Sequence, residues 1–155
     1  MRVVHACWDQ AVIDLIRDET SVEEVFKQHK TRIENDLDRR GVTDKLQRGL
    51  AHQNENPVKL LTSGPEGPAA KPFFAGGKWR NAGRVRWWDS YREASFCVFG
   101  HYWRVQLPDD VDGDHVFDDS KRYALLGNGQ AMCIDYSVGK RAKERLRACL
   151  ESPRF

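Results

Sequence analysis

Ser95-Phe96-Cys97-Val98-Phe99-Gly100-His101-Tyr102-Trp103 decides the fold of this chain. Its apolar and β-branched run reads as a strand buried on both faces. The run breaks at Gly100, where the backbone can turn, and a histidine follows at once. That places an imidazole at the carboxyl end of a central strand, where layered α/β folds put their binding sites. A smaller copy opens the chain: Arg2-Val3-Val4 runs straight into His5. Two strand-end histidines can converge on one metal ion. A histidine in such a place also serves as a hydrogen-bonded structural residue.

At 155 residues the chain can bury a single-domain core. Apolar residues make up 40% and charged residues 31%, with five tryptophans, which describes a globular protein and excludes a disordered one. A net charge of +2 is too small to argue for nucleic acid on its own. Cys7, Cys97, Cys133 and Cys149 are widely spaced, as buried reduced thiols are in a cytosolic protein, and no disulfide framework is expected. No run approaches the ~20 apolar residues of a membrane span, and no targeting segment follows Met1. A cytoplasmic location with no membrane partner is expected. A strand starting at the second residue further suggests that sequence once lay ahead of it.

The order of elements is α/β. Strands are expected near 2–6, 58–62, 95–101, 122–127 and 131–136, in one mixed sheet. Helices are expected near 9–18, 21–40 and 138–150, with a short one at 44–52. Asp9 caps the first helix, with Val12, Ile13, Leu15 and Ile16 as its buried side. Ser21 and Glu24 form a capping box for the second, whose apolar face is Val22, Val25, Phe26 and Ile33. Residues 62 to 77, rich in Gly, Pro and Ala, read as a long loop. Asn128-Gly129 between apolar runs signals a hairpin. The six aspartates between Asp109 and Asp119 lack the closing glutamate of a calcium loop and read as an acidic surface loop.

Lys78 to Trp88 packs four cations and three tryptophans into eleven residues. Three readings stay open. The tryptophans are core and the arginines solvated; or the arginines grip a phosphate beside an active site; or the segment binds single-stranded nucleic acid by stacking and phosphate contacts.

Phe99-Gly100-His101-Tyr102-Trp103-Arg104, then Cys133-Ile134-Asp135-Tyr136-Ser137-Val138-Gly139, with Arg2-Val3-Val4-His5-Ala6-Cys7-Trp8 ahead and Gly77 to Trp88 between, resembles calcineurin-like metallophosphoesterases. The branch it resembles is the bacterial one similar to serine/threonine protein phosphatases. The resemblance implies one incomplete domain over 1–155, half of that family's α/β/β/α sandwich, with an edge or face uncovered. It implies a divalent metal pair (Mn, Fe or Zn) in the complete enzyme, with His5 and His101 as ligands of the second metal. Arg80 or Arg84 would contact the substrate phosphate.

The family's first three motifs, Asp-x-His, Gly-Asp-x-x-Asp-Arg-Gly and Gly-Asn-His-Glu, are not in this sequence. Asp38-Arg39-Arg40-Gly41 is a charged helix end, and Trp103 stands where many members have a further histidine. No catalytic residue is therefore assigned. At most one weakly held ion is expected, because two neutral imidazoles bring no charge to balance a metal pair. The resemblance implies the carboxyl-terminal part of a phosphoesterase, inactive alone, with a phosphorylated substrate once completed. The expected partner is the missing amino-terminal half or a second copy. The alternative is a non-catalytic nucleic-acid-binding or partner-binding module using residues 78–92, and nucleic acid is the less expected ligand of the two.

Overall fold

A computed structural model describes residues 1–75, 77–104, 116–117 and 124–136. The helix expected at 138–150, Cys149, most of the acidic loop and residues 122–123 of the expected fourth strand lie outside the described residues.

The fold is mixed α/β. Strand β1 (Arg2–Val4) leads into four helices: α1 (Gln10–Ile16), α2 (Val22–Arg39), α3 (Lys45–Glu55) and α4 (Pro57–Ser63). A hairpin of β2 (Glu66–Ala75) and β3 (Lys78–Arg84) follows, then β4 (Cys97–Phe99) and β5 (Ala131–Cys133). The expected single mixed sheet is instead two separate sheets. One is parallel, in the order β1-β4-β5, and the other is the β2-β3 antiparallel ribbon. In the parallel sheet Val3 aligns with Val98, and Val98 with Met132.

The helix starts follow local chemistry. The side chain of Asp9 accepts from the Val12 N–H, that of Ser21 from Glu24, and that of Asp44 from Gln47. α2 buries Val25, Ile33 and Leu37, while Val22 faces solvent. None of the residues of α1 is fully buried, and Leu15, expected on its inner side, is exposed.

Two segments differ in kind from expectation. Val58 to Leu61 is helical, since Asn56 accepts from both the Val58 and Lys59 N–H groups and Pro57 occupies the first turn. A four-residue apolar run does not distinguish strand from helix, and here the cap settles it. Most of the expected loop is β2. Its prolines are tolerated because a two-stranded ribbon has free edges, and the register shifts between Pro68 and Phe73. Its partner β3 makes a strand of the first part of the basic segment.

The core lies against one face of the parallel sheet. Trp88 stacks on Phe99 at 5.0 Å and on Phe117 at 5.3 Å between ring centres, and Trp87 packs edge-on against Phe99 and Tyr91. Cys7, Cys97 and Cys133 are buried free thiols. Only part of the second hairpin is described: Leu126 bridges Ala131 across the turn at Gly127-Asn128-Gly129. On the sheet's other face Val3 is 69% exposed, and Ile134, just past β5, is 55% exposed. No helix among the described residues is long and apolar enough to cross a membrane.

Candidate metal and phosphate site

β1 and β4 are parallel neighbours, so their carboxyl ends lie side by side. His5 directly follows β1 and His101 comes two residues after β4. Their ring centres are 5.2 Å apart, with the planes tilted by 48°. The Gly100 N–H donates to the His5 carbonyl at 2.9 Å, so the pairing of the two strands continues past their last residues and sets the histidines together.

His101 has a φ of +63°, a left-handed conformation that non-glycine residues rarely adopt. Gly100, expected as the hinge, is not the residue with positive φ. What holds His101 is Asp135, two residues past β5: its Oδ2 accepts from the His101 N–H at 3.1 Å, and its carbonyl accepts from the Arg104 N–H at 2.8 Å. All three parallel strands thus deliver a polar residue to one end of the sheet. Asp135 belongs to the quoted family-like stretch, yet nothing in its type or spacing announces a backbone-anchoring role.

Arg84 closes a third side. Its guanidinium carbon lies 5.3 Å from the centre of the Tyr102 ring and 5.8 Å from that of Trp103. Tyr102 is fully buried, and its hydroxyl donates to the Val85 carbonyl, tying the end of β3 to the strand-end turn. The His101 imidazole titrates below its ordinary value. Burial is the largest cause, followed by the positive charges of Arg84 and His5, with Asp135 opposing them.

Arg80 is not part of this cluster. It sits four residues, about 13 Å, farther along β3, and its Nε donates to the Ala75 carbonyl. Trp87 and Trp88 are core, while Trp79 is 71% exposed. A groove of about 420 Å³ beside α2, lined by Arg32, Ile33, Asn35, Asp36, Arg39 and Glu55, contains none of the candidate residues.

The residues suit one ion's two imidazole ligands and do not suit a bridged metal pair. Among the described residues no group of three or more His, Cys, Asp or Glu side chains is placed to hold a metal. The carboxylate of Asp135 is engaged by the His101 backbone, and a guanidinium stands nearby. What the cluster can do as it stands is present the Arg84 guanidinium and two imidazole rings to an anion.

Comparison with protein-family models, with curated proteins and with solved structures returned no match.

Proposed function

We propose that this chain is the carboxyl-terminal part of a metal-dependent phosphoesterase, forming one sheet and the flanking helices of a larger sandwich. The 5.2 Å approach of His5 and His101 carries the reading. Residues 96 positions apart meet at the carboxyl ends of adjacent parallel strands, the position at which this class of fold binds ligands. Arg84 beside them supplies a planar donor fork for phosphate oxygens. The exposed face carrying Val3, beside an edge strand, is consistent with a sheet that a further layer would cover.

In the completed site His5 and His101 would contribute two neutral ligands, and a divalent metal pair would supply the activated water and the clamp on the phosphoryl group. Arg84 would orient the phosphate. The carboxylates that balance the metal charge would come from outside the described residues.

Cobalt(II) titration followed by visible absorption tests this reading. One weak site is expected, lost in His5→Ala and in His101→Ala and retained in His29→Ala. Binding that is unchanged in both of the first two variants would remove the basis of the proposal.

A further inference from the structure

From Gly67 to Trp88 the chain carries five cations and no carboxylate. Against a whole-chain charge of +2, those five leave the rest of the molecule at −3. The β2-β3 ribbon itself, residues 66–84, holds four of these cations and the carboxylate of Glu66, so it is a basic arm of net +3 on a remainder of net −1.

The register sorts its side chains. Arg80 pairs with Phe73, Lys78 with Ala75, and Arg84 with Glu66, so by alternation Lys78, Arg80 and Arg84 share one face. Trp79 pairs with Phe74 on the opposite face, with ring centres 5.8 Å apart, and both are exposed. The cationic face ends at Arg84, beside His5 and His101. Glu66 offsets charge at the base, where it opposes Arg84. Outward of Glu66, neither Lys78 nor Arg80 is paired with a carboxylate among the described residues.

We propose that this cationic face is a docking strip for an acidic, extended polypeptide segment leading into the histidine pair. Successive side chains on one face of a strand are about 6.6 Å apart, and an extended peptide presents its alternate carboxylates at the same interval, so Lys78 and Arg80 can meet two of them. Polypeptide is favoured over nucleic acid by the sorting itself. Single-stranded nucleic acid needs bases stacked on aromatics beside the cations that hold its phosphates. Here the exposed Phe74–Trp79 pair faces away from the cations and Trp87 and Trp88 are buried, so among the described residues the cationic side has only the half-buried Phe73 opposite Arg80 and, beyond the end of β3, Trp103 beside Arg84. The inference rests on the phosphoesterase reading in taking this segment as the flank of a phosphorylated residue, and it names that substrate class.

The test is fluorescence anisotropy of the full chain, without metal, against a labelled ten-residue peptide containing six glutamates and no phosphate. Binding is expected to weaken steeply between about 50 and about 300 mM salt, a range over which the Debye length shortens about 2.4-fold. Lys78→Glu with Arg80→Glu should weaken it at least about tenfold. Trp79→Ala, on the other face, should leave it unchanged. The peptide reads the arm alone and the cobalt titration reads the histidines alone, so either idea can fail without the other. Equal binding of a neutral peptide, no effect of the charge reversal, or tighter binding of an oligothymidylate of matched charge would overturn the proposal.

Discussion

The N–H of Gly100 donates to the carbonyl of His5 across 2.9 Å, joining two strands one residue beyond the end of each. That bond, with the Asp135 carboxylate on the His101 N–H, fixes where the two imidazoles stand. Backbone groups do the positioning, so the rings remain available to a ligand.

Asp135→Ala should therefore disturb the site more than its surface position suggests. It removes a charged acceptor from a residue held at a φ of +63°. A hydrogen bond to a charged group is worth about 1.5–3 kcal/mol, and partial solvent exposure of Asp135 places the expected loss near the lower end. Urea denaturation gives the stability change, and the ring-proton NMR signals of His5 and His101 report whether their approach is lost. Unchanged ring signals in a destabilised variant would mean that Asp135 supports the fold and not the histidine geometry.

Two glycines should tolerate no side chain. Gly127 has a φ of +56°, and a Cβ there would overlap the Trp88 carbonyl. Gly64 has a φ of +79°, and its Cβ would fall 2.7 Å from Cζ of Tyr102. Backbone strain plus overpacking predicts a loss of about 2–4 kcal/mol for Gly127→Ala. Gly64→Ala should cost a similar amount, and by displacing Tyr102 it should also loosen Arg84. Gly49→Ala, in α3 with open space around it, serves as the control and should be neutral or slightly stabilising.

The buried thiols predict a weakness in alkali. Burial, the largest cause in each case, pushes Cys7 up to about 12 and Cys97 and Cys133 up to about 11. The folded state therefore holds these protons more tightly than the unfolded chain, whose thiols titrate near 8.5. Their stabilising contribution is complete below that unfolded value and is lost as pH rises toward 11 to 12. Denaturation midpoints measured from pH 7 to 10.5 should fall above pH 9, and Cys133→Ser should not reproduce that part of the slope. Its Sγ donates to the Tyr102 carbonyl at 2.9 Å, a bond that serine can keep. A flat profile for the parent chain would contradict the burial argument.

The helical caps, the two strand-end histidines and the core strand were legible in the sequence because each depends on neighbours in the chain. Asp9 and Ser21 act within three residues, and His101 is marked by the run before it. The hairpin arm was not legible. Its Gly, Pro and Ala content is that of a loop, and only pairing with β3 makes it a strand. Sequence also leaves open which of Arg80 and Arg84 stands by the histidines. Alternation places both on one face, and the separation along that face is settled by where β3 ends against Tyr102. The role of Asp135 depends on a contact spanning 34 residues and has no local sign.

The chain as it stands should not turn over p-nitrophenyl phosphate appreciably, even with excess manganese. Hydrolysis at a metal pair needs two ions about 3.5–4 Å apart bridged by an activated water. Two such ions carry four positive charges, and the described residues of the site offer them two neutral imidazoles beside the Arg84 guanidinium. Among the described residues only the Asp135 carboxylate, already engaged by the His101 N–H, could offset the repulsion between the ions, so a single weakly held ion is the expected limit. Arg84 can still bind phosphate, but holding the ground state and transition state equally well does not lower the barrier between them. Inorganic phosphate should therefore bind weakly, in a salt-sensitive way that Arg84→Met diminishes, while the rate of ester hydrolysis stays at the uncatalysed level. Manganese-dependent turnover by the purified chain, abolished in His101→Ala, would show that residues outside those described complete the centre.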